Sequence, residues 1–98
     1  MRQFDKIRRW AAARNLIQGS SPDRQMVKLV EEVQELDEAI AADDRSEFID
    51  AIGDCIVVLT IMAAQRGINV EDCIEAAWQE IKDRKGQMVD GGFVKEQV

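Results

Sequence analysis

Two acidic sets in this 98-residue chain have the spacing to do chemistry. The first is Glu31, Glu32, Glu35 and Glu38; the second is Glu47, Asp50 and Asp54. On a helix turning about 100° per residue, Glu32 and Glu35 lie within roughly 60° of each other and border an apolar stripe. Glu31 and Glu38 lie further round toward solvent. Glu47, Asp50 and Asp54 share one arc of roughly 60°, stacked at i, i+3 and i+7. Their face continues into Val58 and Ile61, and Asp54 opens the apolar run Cys55-Ile56-Val57-Val58-Leu59. A carboxylate on a mostly buried helix must be paired or must hold a cation. No arginine or lysine lies between Arg45 and Arg66 to pair with Asp50 or Asp54. With no histidine and no cysteine pair, only oxygen ligands remain, and these suit a hard cation: magnesium, or manganese as its substitute. Glu32, Glu35, Asp50 and Asp54 are the expected ligands. The competing reading is an ion-pair network using Arg8, Arg9 or Lys82.

A magnesium site of four carboxylates usually has a phosphate to hold, because magnesium keeps positions open for substrate oxygens. Basic groups should then converge from the far side. Lys82, Arg84, Lys85 and Lys95 cluster around Gly86, and Lys28 stands one turn before Glu32. There is no glycine-rich phosphate loop and no EF-hand loop to compete.

The whole chain narrows the choice further. Thirteen basic against nineteen acidic residues give a net charge of −6. The charge is uneven: residues 1–22 sum to +4, residues 23–54 to −8 and residues 55–98 to −2. The missing histidine excludes Ser-His-Asp and Cys-His centres, histidine-ligated zinc and the Glu-x-x-His pairs of di-iron bundles. Net acidity argues against a nucleic-acid polymer as partner. Cys55 and Cys73 are too few for a disulfide framework and suit a reduced setting, with Cys55 as a small buried hydrophobe. No signal core and no apolar stretch of membrane-spanning length is present, so a soluble cytoplasmic protein is expected.

Four helices must position these groups. The first covers about residues 2–14, with Phe4, Ile7, Ala11 and Arg14 at helical spacing. Ser21 as N-cap and Pro22 at the first position open the second, which reaches about Ala42. Its apolar stripe, Met26, Leu29, Val33, Leu36 and Ile40, is spaced 3-4-3-4 and is expected to face the core. Asp44 and Glu47 form a capping box for the third helix, about 45–66, so apolar that most of its circumference should be buried. Gly67 as C-cap and Asn69 as N-cap separate it from a fourth helix reaching about Arg84, with Val70, Cys73, Ile74, Ala77 and Ile81 inward and Trp78 beside them. The tail from Met88 to Val94 has the turn dipeptide Asp90-Gly91 and reads as a small hairpin or clasp. The short turn before the third helix makes it antiparallel to the second, so the two acidic sets face each other. A helix buried nearly all round needs more partners than one short chain supplies. A homodimer or homotetramer through the central helices is therefore expected.

The segments Lys28-Leu-Val-Glu31-Glu32-Val-Gln-Glu35-Leu and Asp50-Ala-Ile-Gly53-Asp54-Cys-Ile-Val-Val-Leu resemble the MazG-type all-α nucleoside triphosphate pyrophosphohydrolases. Their pattern is Glu-Glu-x-x-Glu followed on the next helix by Glu-x-x-Asp. The stretch from Glu80 to Glu96 is similar to the C-terminus of short, phage-type members. The resemblance covers about residues 22–96, in one domain spanning 1–98 with a four-helix, bundle-like fold. Two positions depart from the pattern. Ala51 stands where the family has a glutamate, so Asp50 takes that role, or else Glu47 and Asp50 form the pair in an alternative register. Gln79 stands for an asparagine. The resemblance implies magnesium-dependent hydrolysis of a nucleoside triphosphate to monophosphate and pyrophosphate, a house-cleaning of the nucleotide pool. Glu31 or Glu38 would take the proton, Lys28, Lys82 and Lys85 would hold phosphate, and Trp10, Asn15 and Gln18 would meet the base. The alternative function is a non-catalytic oligomerisation module whose acids form a structural network.

Overall fold

The computed structural model describes residues 2–96. Helices α1 (Arg2–Ala13), α2 (Pro22–Ala41), α3 (Arg45–Gln65) and α4 (Val70–Ile81) are followed by a hairpin of β1 (Gly86–Val89) and β2 (Gly92–Lys95). The class is all-α with one two-stranded hairpin. α4 stops three residues before the expected Arg84.

Local chemistry accounts for each boundary. Ser21 takes an extended backbone and its hydroxyl accepts from the Arg24 N–H at 3.3 Å, with Pro22 in the first turn. Asp44 caps α3 by accepting from the Glu47 N–H at 3.1 Å. Asn69 has the extended backbone of an N-cap but makes no side-chain cap bond. Helices α1, α2 and α3 each end on a left-handed residue, Asn15, Asp43 and Gly67. In each case the next N–H bonds back five residues, Leu16 to Ala11, Asp44 to Ala39 and Ile68 to Ala63. That is the Schellman arrangement, which asparagine, aspartate and glycine tolerate best. In the hairpin, Asp90 and Gly91 both have positive φ, as a type I′ turn requires, and pair Val89 with Gly92 and Met88 with Phe93.

The centre of the fold is the α2–α3 pair, joined by a three-residue turn and therefore antiparallel. α1 lies along α3, and α4 leaves from its C-terminal end. The Arg8 guanidinium donates to both Glu71 oxygens at 2.6 and 2.7 Å, tying α1 to the start of α4. Gln65 Nε2 donates to the Leu16 carbonyl at 2.9 Å, tying α3 to the turn after α1.

Four expectations of burial are corrected. On α2 the line turned inward is Gln25, Glu32 and Ala39, while Met26, Val33 and Ile40 stand half exposed. On α3 only Ala51, Val58, Thr60 and Ile61 are buried, and Ile49, Ile52, Ile56 and Leu59 are open. No residue of α4 is buried; Ile74, Trp78 and Ile81 are about half exposed. Cys55 is only half-buried and Cys73 is exposed. The cause is common to all: two helices pack along one line each, and one chain of this size has no further layer to cover the rest.

Candidate functional site

Glu32 occupies the middle of the buried line of α2 and is 4 % exposed. Its neighbours across the helix pair are set by the antiparallel packing. One oxygen each from Glu32, Glu35 and Asp54 lie within 4.8 Å of one another. Lys28 Nζ sits 3.0 Å from Glu32 Oε1 and 3.6 Å from Glu31 Oε2. Glu32 Oε2 is buried with no hydrogen-bond donor. Glu35 and Asp54 can donate to it only when protonated, so the three oxygens form an acceptor-only cluster open to a proton or a cation.

The electrostatics follow from that geometry. The hydrogen bond from Lys28 holds Glu32 below the usual carboxylate range. Sharing that site with Glu32 pushes Glu35 up, and partial burial, followed by the Glu32 charge, pushes Asp54 up. Burial raises the neighbouring Cys55 thiol as well. A set of like charges at this distance is the arrangement in which ionised forms are disfavoured until something positive is added.

The other residues singled out from the sequence are divided. Asp50 stands outside the trio, though its charge acts on Asp54. Both Asp50 and Asp54 are exposed, so the premise that they sit on a buried helix face is corrected; the buried carboxylate is Glu32. Glu38 lines a groove of about 350 Å³ with Glu35, Asp44 and Glu47, while Glu31 is exposed and leans on Lys28. Lys82 and Lys85 are not brought to the trio. They stand beyond the free end of α4, where Lys85 lines cavities with Arg84, Lys95, Glu80, Asp83 and Glu96. Neither Arg8 nor Arg9 bonds to the trio: Arg8 is engaged by Glu71 and Asp5. Lys28 answers only one carboxylate of the trio, Glu32, and Arg8 is engaged elsewhere, so the purely structural reading is not favoured.

Against the trio lies a cavity of about 440 Å³ lined by Lys6, Ile7, Trp10, Asp54 and Val57. Trp10 is on its wall, with the Arg14 guanidinium 4.4 Å from the ring centre. Asn15 and Gln18 lie in the turn beyond α1 and do not line it. Sequence reasoning missed Lys6 and Ile7. The signal was available, since Lys6 and Trp10 are i and i+4 on one helix and must share a face.

Comparison with known proteins bears directly on this acidic centre. The family model described as the MazG nucleotide pyrophosphohydrolase domain matches residues 20–89, which include all of α2, α3 and α4. The chain belongs to that family. An uncharacterized 18.2 kDa protein from the rep-hol intergenic region of Haemophilus phage HP1 (strain HP1c1) is 43 % identical over 63 residues, 64 % of this chain. The match covers 39 % of that phage protein's length. No solved structure matches. Members of the MazG family are nucleoside triphosphate pyrophosphohydrolases in general and are typically dependent on a divalent metal. Among the described residues no helix is long and apolar enough to cross a membrane.

Proposed function

We propose that this chain hydrolyses a nucleoside triphosphate between the α and β phosphates, ribose or deoxyribose, with magnesium held by Glu32, Glu35 and Asp54 and with manganese as its substitute. The supporting observation is the trio itself: three carboxylates converging within 4.8 Å, one of them buried with an oxygen that has no donor. Oxygen ligands of this kind suit a hard divalent ion. When bound, such an ion supplies charge neutralisation at the phosphates and lowers the pKa of an attacking water.

The chain's own residues supply the rest. Lys28 keeps Glu32 ionised and ready to act as a ligand. Asp50, one turn before Asp54, completes the acidic wall. Glu38, in the groove beside Glu35, or Glu31 accepts the proton of the attacking water; the phosphoanhydride bond breaks and pyrophosphate leaves with the bond's electron pair. Trp10 and Ile7 offer the base an apolar wall, and Lys6 offers a cation to a phosphate at the same cavity. In the cell the reaction would remove an unwanted nucleotide from the cytoplasmic pool.

A screen of ribo- and deoxyribonucleoside triphosphates with magnesium or manganese tests this directly. Monophosphate and pyrophosphate in equal amounts are expected from at least one nucleotide. Release of orthophosphate instead, or no turnover of any nucleotide with either metal, refutes the proposal.

A further inference from the structure

The carboxylate trio is answered by one cation of the chain's own, and that cation has two places to be. Lys28 Nζ lies 3.0 Å from Glu32 Oε1 and 3.6 Å from Glu31 Oε2. Among the described residues, no other cation forms an ion pair with Glu32, Glu35 or Asp54. The Lys28 charge acts on Glu35 and Asp54 as well as on Glu32. The ammonium therefore stands where a cluster of acceptors most needs a positive charge.

The two partners of Lys28 are unlike. The Glu32 side chain is 5 % exposed and that of Glu31 is 60 % exposed, while that of Lys28 is 54 % exposed. A buried carboxylate gains most from a counter-charge, because burying a charge unpaired is costly. An exposed carboxylate is already solvated and holds a cation weakly. The helix does not dictate the choice, since a lysine four residues before a glutamate is the poorer order for such a pair. What draws Lys28 to Glu32 is the burial of that carboxylate.

A divalent ion on the trio would change this balance. It would bring two positive charges to the carboxylate that Lys28 contacts at 3.0 Å. Charges of +2 and +1 about 5 Å apart repel, even in the dielectric of water, by the equivalent of about a 15-fold change in affinity. Lys28 carries its ammonium on a flexible four-carbon stem, half in solvent, with Glu31 as a second acceptor within one turn. A move from Glu32 to Glu31 relieves the repulsion and leaves the ammonium paired.

We infer that Lys28 is a tethered counter-ion that holds the place of the divalent ion on Glu32 and is displaced to Glu31 when that ion binds. Lys28 is thus a positioning residue. It steadies the acidic cluster in the metal-free protein and lowers the affinity of the cluster for free metal. The inference rests on the proposed reading of the trio as a divalent-ion site and is independent of which nucleotide is hydrolysed.

Titration calorimetry with manganese(II) chloride alone, at neutral pH and without nucleotide, tests it. Lys28→Met keeps a stem of similar length without the charge and should bind manganese about tenfold more tightly than wild type. Lys28→Arg should stay within about threefold of the wild-type affinity. Metal-free Lys28→Met should melt below wild type, and saturating manganese should close that gap. Glu31→Gln separates displacement from plain charge repulsion, because it removes the second acceptor. It should weaken manganese binding at least about threefold more in the wild-type background than in the Lys28→Met background. Equal effects in the two backgrounds overturn the displacement, as does a Lys28→Met protein that binds manganese no more tightly than wild type. Lys28→Gln supplies the same comparison should Lys28→Met fail to fold. Those outcomes remove the role of Lys28 alone. A wild-type protein that takes up no manganese at millimolar concentration overturns the trio as a metal site, and this inference with it.

Discussion

Replacing Asp54 by asparagine separates a ligand cluster from a structural ion pair, because the two make opposite predictions for the metal-free protein. The trio's oxygens lie within 4.8 Å of one another. Two unit negative charges at that separation repel by about 0.9 kcal/mol in the dielectric of water, and by about 3.5 kcal/mol at an effective dielectric of 20. Asp54 is exposed, so the lower figure applies, and Lys28 at 3.0 Å from Glu32 cancels part of it. The metal-free Asp54→Asn protein should therefore be more stable than wild type by roughly 0.5–1 kcal/mol, a rise in melting temperature of about 2–8 °C for a domain of this length. The sign has a pH signature. Asp54 is raised in the folded state above its ordinary 3.8, so its cost is fully present above the folded-state value and vanishes as pH falls below 3.8. The advantage of the variant should close over that interval. Manganese or magnesium should raise the wild-type melting temperature and raise that of the variant much less, since one ligand of the set has lost its charge. Thermal unfolding at pH 7 and pH 3.5, with and without metal, measures all of this. A metal-free variant that melts several degrees below wild type, or one that metal stabilises as much as wild type, refutes the reasoning.

Three further outcomes are expected. Trp10→Ala should raise KM for the best nucleotide roughly 5- to 150-fold, the equivalent of about 1–3 kcal/mol of base stacking, while kcat stays within about twofold; an unchanged KM would remove Trp10 from the site. Glu71→Gln breaks the paired bonds from Arg8, which hold the Glu71 carboxyl down to about 2. The stability this pair contributes is present above the ordinary value of 4.5 and lost as pH falls through 2, so the variant should melt lower than wild type at neutral pH, with the gap closing by pH 2. Val58→Ala, at a buried position between the central helices, should cost about 2 kcal/mol in urea unfolding; a change under 0.5 kcal/mol would mean the site collapses without a cavity.

Much of the fold was readable residue by residue. Ser21-Pro22 and Asp44 set helix starts through bonds their own side chains or rings make locally, and Gly67 and Asp90-Gly91 set turns through φ values few other residues accept. These are short-range effects, complete within five residues. The clustering of acids on α2 and α3 was equally legible, because helical periodicity alone stacks Glu32 with Glu35 and Asp50 with Asp54. Which face of each helix turns inward was not. The apolar stripe of α2 looked like core, yet packing buries Gln25, Glu32 and Ala39 instead. That choice decides the chemistry: it buries Glu32 rather than Asp54, brings Asp54 from the next helix to meet it, leaves Lys82 and Lys85 beyond the free end of α4, and sets Lys6 and Trp10 against the acids. The residue types and their periodic placement belong to the sequence by itself. The convergence of charges from different helices belongs to tertiary structure, because the energy of burying a carboxylate depends on what the rest of the chain places within a few ångströms of it.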